Sequence, residues 1–125
     1  MALLGTTVEI GSPGHASAWL DVSDHHLQLQ GMVHGGVAFS LADTAMGAAI
    51  RTLLQSNDRL ATIEAKINYL APAKEGRLIA KAMILHKGGT LCFGEADIFN
   101  ERDGHTTRIA KFTATFMVRS RRQPA

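Results

Sequence analysis

Between Met32 and Ile50 the chain is apolar at nearly every position, and no proline occurs from Gly36 to Leu54. Ala, Leu and Met dominate, so the segment predicts a helix that starts near Gly35 and ends near Gln55, where Ser56-Asn57-Asp58 offers turn chemistry. A helix apolar on all sides belongs in a core, not on a surface. The exceptions are Ser40, Asp43, Thr44, Gly47 and Arg51, which recur at spacings of three and four and form one narrow stripe. A carboxylate on that stripe is costly to bury unless it has partners or a task.

The flanking segments follow a different rhythm. Leu4 to Ile10 reads as a short strand, Gly11-Ser12-Pro13-Gly14 as a turn, and His15 to Val22 as a second strand with Ala16, Ala18, Leu20 and Val22 on one face. The two form a hairpin. Ser23 to Val33 carries Asp24, His25, His26, Gln28 and Gln30 and reads as a polar loop. Beyond the helix the pattern turns to period two. From Leu60 to Leu70, Ile63, Ala65, Ile67 and Tyr69 fall on one side and Thr62, Glu64, Lys66 and Asn68 on the other.

Pro72-Ala73-Lys74-Glu75-Gly76 interrupts this strand. Three more follow, Arg77 to Lys87, Leu91 to Asn100 and His105 to Val118, divided by turns at Lys87-Gly88-Gly89-Thr90 and Glu101-Arg102-Asp103-Gly104. The order is two strands, one helix and four strands. This predicts an α+β domain spanning residues 1–125, with one long helix against a curved antiparallel sheet of about six strands. Short connections predict that the last four strands form a meander. A single sheet covers the helix from one side only, so a second copy of the chain is expected to cover the rest.

Composition narrows the setting more than the chemistry. A net charge of +2 does not argue for nucleic acid, and part of the basic excess lies in Arg119, Arg121 and Arg122 near the end of the chain. The lone cysteine, Cys92, excludes an internal disulfide and suits a reducing compartment. No leader pattern is visible, and Asp43, Arg51 and interspersed Gly and Ser argue against a membrane span in the apolar run. The expected location is the cytoplasm, without a membrane partner. Asp24, His25 and His26 lack a second cluster at ligand spacing, so no metal is expected.

Chemistry concentrates at His34-Gly35-Gly36. Glycines at a helix start let the backbone approach a ligand and leave N–H groups pointing outward, where the helix dipole favours a developing negative charge. These are the requirements of an oxyanion hole. A plain glycine turn feeding a helix has the same sequence. Asp43 lies eight residues beyond Gly35, roughly 12 Å along a helix axis, too far for both to act on one small centre. Asp43 could instead face Gly35 of another chain, or cap a neighbouring turn, or pair with a lysine.

These residues resemble a known family. His34-Gly35-Gly36 with Asp43 nine residues after the histidine is similar to the signature of the hotdog-fold acyl-CoA thioesterases, in the branch of phenylacetyl-CoA-type thioesterases and thioesterase superfamily member 2. Ile67-Asn68-Tyr69-Leu70-Ala71-Pro72-Ala73-Lys74-Glu75-Gly76 and Lys87-Gly88-Gly89-Thr90-Leu91 match the same branch, so the resemblance spans nearly the whole chain.

The resemblance implies hydrolysis of an acyl-CoA thioester to free acid and coenzyme A. It implies Asp43 as nucleophile or general base, the Gly35 N–H as oxyanion donor, and His34 as the neighbour shaping the turn. It places Gln28 where members hold the water or thioester, and Thr62 where some carry a water-orienting hydroxyl. Gly36 and Lys87-Gly88-Gly89-Thr90 would line the pantetheine arm, and Lys74, Arg119 and Arg121 would meet phosphates.

No cofactor is implied, since coenzyme A is part of the substrate. The resemblance further implies a homo-oligomer, at least a dimer and commonly a tetramer. Gly47 departs from members with a hydroxyl there, and the first strand comes almost at once where members commonly have a helix, which leaves acyl specificity open. The rival readings are a hotdog enoyl-CoA hydratase and a non-catalytic acyl-CoA binder.

Overall fold

The alternating segments form six strands and the apolar run forms one helix in the computed structural model, which describes residues 5–55 and 57–119. The strands are β1 (Thr7–Ile10), β2 (His15–Asp21), β3 (Arg59–Tyr69), β4 (Arg77–Lys87), β5 (Leu91–Arg102) and β6 (His105–Arg119), and the helix α1 is Gly35–Arg51. Leu4, Ser56, Arg121 and Arg122 lie outside the described residues. All neighbours in the sheet are antiparallel, in the order β1-β2-β4-β5-β6-β3. One helix on one curved antiparallel sheet is the expected architecture.

The sheet order corrects the expected four-strand meander. Only β4, β5 and β6 run consecutively; β3 pairs with β6 and forms the far edge. The connection from Leu70 to Gly76 therefore crosses the end of the sheet. It is held there by a bulge in β6: the Ile109 carbonyl accepts N–H bonds from Leu70 at 2.7 Å and Ala71 at 3.2 Å. Val33 N–H then donates to Ala73 C=O at 2.7 Å, which ties the crossing to the segment before α1.

The helix stops at Arg51, short of the expected Gln55. Thr52 ends it: its hydroxyl donates to Ala49 C=O at 2.6 Å and accepts the Gly14 N–H at 2.7 Å. The loop from Ser23 to Val33 contains one short 3-10 turn, Asp24–His26, with His26 buried. The β5–β6 hairpin closes on Asp103 and Gly104, both at positive φ, as a two-residue hairpin turn requires.

The core lies between α1 and the inner face of the sheet. Leu41, Ala45, Met46 and Ile50 pack with Leu20, Leu78, Ile98 and Phe112, all fully buried. Gly94 admits this close approach, since a Cβ there would meet the Met46 sulfur at 2.7 Å. α1 rests mainly over β2 and β4, less over β5, and barely reaches β3.

β3 also corrects the expected alternation. A bulge at Ile63, between Thr62 and Glu64, shifts its phase. Thr62 stands opposite buried Phe116, and Ala65, Ile67 and Tyr69 stand opposite Ala114, Phe112 and Ala110. Thr62 thus joins Ala65, Ile67 and Tyr69 on the inner face instead of siding with Glu64, Lys66 and Asn68.

Candidate active site

The first turn of α1 is wired on both sides. His34 N–H donates to His26 C=O at 2.9 Å, seating the turn on the loop before it. The His34 ring caps the helix, its Nδ1 accepting the Gly36 N–H at 2.9 Å, and Val37 N–H donates to His34 C=O at 2.9 Å. Gly35 N–H has no acceptor among the described residues.

Gly35 lines a cleft of about 550 Å³. Gln28, His34 and Tyr69 supply polar groups, and Met32, Ala38, Leu70, Pro72 and Ile109 supply apolar walls. The Gln28 side-chain oxygen accepts the Gln30 N–H, and its main-chain N–H donates to Met32 C=O at 2.8 Å, which holds it at the cleft wall. Tyr69 O–H donates to Gly35 C=O at 2.8 Å. The sequence reading missed Tyr69 as a site residue. Its signal was its place on the inner face of β3, directly before the crossing segment.

Asp43 stands apart from this cleft, two turns further along α1. The stripe holding Ser40, Asp43, Thr44 and Gly47 is half-buried. Phe39, one turn before Asp43, meets Phe112 of β6 edge-on at 5.2 Å, so this side of the helix borders the β6–β3 part of the sheet. A Cβ on Gly47 would find nothing within 4 Å. Asp43 Oδ1 is buried with no hydrogen-bond partner among the described residues, and burial raises the carboxyl pKa above its ordinary value. Among the described residues no lysine pairs with it and it caps no turn.

The opposite end of the sheet is cationic. A second cleft, of about 540 Å³, is lined by Arg51, Arg59, Arg119, Asp58 and Met117. Arg59 and Arg119 are direct cross-strand partners, and no acid pairs with either among the described residues. Arg51 donates to the Asp58 carbonyl at 2.7 Å. The Gly88-Gly89-Thr90 turn lies at this same end, where Val118 N–H donates to Thr90 C=O at 2.7 Å.

A family model described as the thioesterase superfamily matches residues 30–107. The chain belongs to the thioesterase superfamily. Human acyl-coenzyme A thioesterase 13 is 27% identical to this superfamily member, over 78% of this chain and 70% of the human one. Among solved structures, a thioesterase family protein from Silicibacter pomeroyi is 32% identical with a TM-score of 0.89, covering 94% of this chain and 87% of that one. The phenylacetic acid degradation protein PaaI from Thermus thermophilus is 26% identical with a TM-score of 0.82, covering 94% and 96%.

Within this superfamily chain the expected site residues fall into three groups. Gln28, His34 and Gly35 share the first cleft. Gly36 stands beside it, its N–H already taken by His34. Lys87, Gly88, Gly89, Thr90 and Arg119 gather at the cationic end, about 30 Å from Gly35 by strand length. Lys74 is on the crossing segment, at the Gly35 end and away from Arg119. Asp43 and Thr62 line neither cleft; Asp43 lies on the half-buried stripe of α1 and Thr62 on the inner face of β3. Among the described residues no His, Cys, Asp or Glu group is suited to a metal, and no helix is long and apolar enough to cross a membrane.

Proposed function

We propose that this chain hydrolyses acyl-CoA thioesters at a site shared by two copies of it, in the cytoplasm and without a cofactor. The observation that carries the reading is the buried, unpartnered oxygen of Asp43, two turns beyond an unpartnered Gly35 N–H on one helix. One chain holds both groups but keeps them too far apart to share a carbonyl. A second chain related by a two-fold axis would run its β3 antiparallel to the first, bringing the Arg59 end of one beside the Tyr69 end of the other. Such a dimer covers the long β3 edge and the open stripe of α1 together. Pairs of dimers would give the tetramer.

In this reading the thioester carbonyl oxygen points at Gly35 N–H, and Gln28 steadies the carbonyl or the water. Asp43 of the partner copy takes a proton from water as it adds to the carbonyl carbon, or attacks that carbon itself; Thr62 orients the water. The developing oxyanion is stabilised by the Gly35 N–H and the helix dipole. Collapse breaks the C–S bond, and the thiolate leaves without needing a strong acid. Gly36 and Lys87-Gly88-Gly89-Thr90 follow the pantetheine arm. Lys74 and Arg119, from different copies, take the phosphates.

The test is free-thiol release by the purified protein across aryl, short, medium and long acyl-CoA substrates. The expected result is turnover that Asp43→Asn reduces by at least about 100-fold. Saturable coenzyme A binding with no thiol released would establish a binding module instead. Faster hydration of enoyl-CoA than thiol release would establish a hydratase.

A further inference from the structure

We propose that Tyr69 is the positioning residue that holds the Gly35 N–H in place for the thioester carbonyl, acting through its hydroxyl on the Gly35 carbonyl. The inference rests on the hydrolase reading for the carbonyl it serves, and on the geometry of the turn for the rest.

Gly35 and Gly36 are consecutive glycines at the first two positions of α1, where helices fray and glycine has the most conformational freedom to lose. Two side chains restrain them. The His34 ring holds Gly36 by its N–H, and the Tyr69 hydroxyl holds Gly35 by its carbonyl at 2.8 Å. The first bond occupies the Gly36 donor. The second falls on the same peptide group, between Gly35 and Gly36, and so fixes the chain on one side of the Gly35 Cα. The Gly35 N–H, on the preceding peptide group, keeps no acceptor among the described residues.

The glycine at position 35 is explained by the same contact. A Cβ there would lie 2.9 Å from the Tyr69 oxygen and 3.0 Å from the ring carbon bearing it. Neither Gly35 nor Gly36 has a positive φ, so backbone conformation alone does not demand glycine here. The space a side chain would fill is taken by the tyrosine ring. Tyr69 comes from the last residue of β3, so the donor is fixed by the sheet and not only by its own helix. Burial raises the phenol pKa above its ordinary value, so the O–H remains a donor across the working pH range.

The test compares wild type with Tyr69→Phe, which keeps the ring and deletes the hydroxyl. Tyr69 is 54% exposed, so the fold tolerates the change and the thermal midpoint is expected to move by less than about 2 °C. In thiol-release kinetics kcat is expected to fall about tenfold while KM stays within about twofold, since substrate-binding surfaces are unchanged.

By NMR the Gly36 amide, whose own peptide carbonyl loses the bond, is expected to shift in either case, and the deciding signal is the Gly35 amide on the other side of the Gly35 Cα, which is expected to shift as well. An unchanged kcat, or a Gly35 amide that does not move, would overturn the proposal. A wild-type protein with no thioesterase activity would sink the hydrolase reading alone. The amide measurement would then decide whether Tyr69 holds the donor.

Discussion

On one face of α1, Val37, Leu41, Ala45, Met46 and Ile50 are sealed against the sheet; on the other, Ser40, Asp43, Thr44 and Gly47 are only half-buried, on the side that borders β6 and β3. Every large side chain on the first face is satisfied by packing within one chain. Among the described residues, the second face holds a carboxylate oxygen with no partner and a glycine whose added Cβ would meet nothing within 4 Å. On the strand opposite, Ala65 and Ile67 pack partly against the core while Thr62 stays exposed. Under the proposed function, a second copy of the chain supplies what that carboxylate lacks. The first face then specifies the fold, and the second carries the groups the proposed reaction uses.

The largest effect should come from Asp43, and in opposite directions for rate and stability. Asp43→Asn is expected to lower kcat by about 1,000-fold, measured by thiol release. The carboxylate is the active form in either role, so wild-type activity rises with pH through the raised Asp43 pKa and then levels off. Stability runs the other way. A fold that raises a carboxyl pKa favours the neutral acid, so the stability contributed below the ordinary value of 3.8 is lost as pH climbs through the raised one. Asn carries no charge and should be more stable than wild type at neutral pH by about 1 kcal/mol in chemical denaturation. A less stable Asp43→Asn protein would mean that the carboxylate is structural.

The sealed face should respond in the reverse manner. Leu41 is fully buried, and Leu41→Ala is expected to cost about 3 kcal/mol of stability through lost burial and the cavity left behind. Activity per folded molecule should stay within about threefold of wild type, because the first turn of α1 keeps its own ties, the bonds from His34 and Tyr69 and the burial of Val37 and Ala38. Denaturation midpoints with matched kinetics check both halves of the contrast.

How far the sequence carried this division is uneven. The helix, the strand count and His34-Gly35-Gly36 were legible because each rests on local pattern: apolar density, period two, and glycines before a helix. The place of β3 was not. Its short connection to β4 suggested a neighbour, and only the bulged Ile109 carbonyl, which anchors the crossing, makes the longer route visible. The side on which Thr62 falls was hidden for a similar reason, since one extra residue at Ile63 inverts the alternation without altering composition. Asp43 was legible as an anomaly. Its lack of a partner within the chain is a tertiary fact that no spacing encodes.

If the open face is completed by a second copy, two differently broken chains should repair each other. Asp43→Asn removes the carboxylate. Gly35→Val drives a side chain into Tyr69, where even a Cβ would come within 2.9 Å, and so displaces the donor. Each variant should be inactive alone. Mixed, unfolded and refolded together, random hybrid dimers should recover about a quarter of wild-type activity, because half the dimers are hybrids and each has one intact site. No recovery, in a mixture shown by mass to contain hybrids, would place Asp43 and Gly35 of one chain in the same site.

The smallest effect belongs to the cationic end, and it separates a task in the dimer from a mere surface. Arg59 and Arg119 face each other across β3 and β6 with no acid paired to either among the described residues, an arrangement that is mildly unfavourable until an anion arrives. Arg59→Gln should therefore stabilise the free protein by a few tenths of a kcal/mol, mainly at low salt, where unlike a core change it is screened away by added salt. If that end meets the phosphates of a substrate held in the partner's cleft, the same variant should raise KM for acyl-CoA about threefold and leave kcat unchanged. It should also leave turnover of a short thioester without a nucleotide untouched. A KM that does not move would assign the arginine pair to the surface and detach it from the site proposed for Asp43 and Gly35.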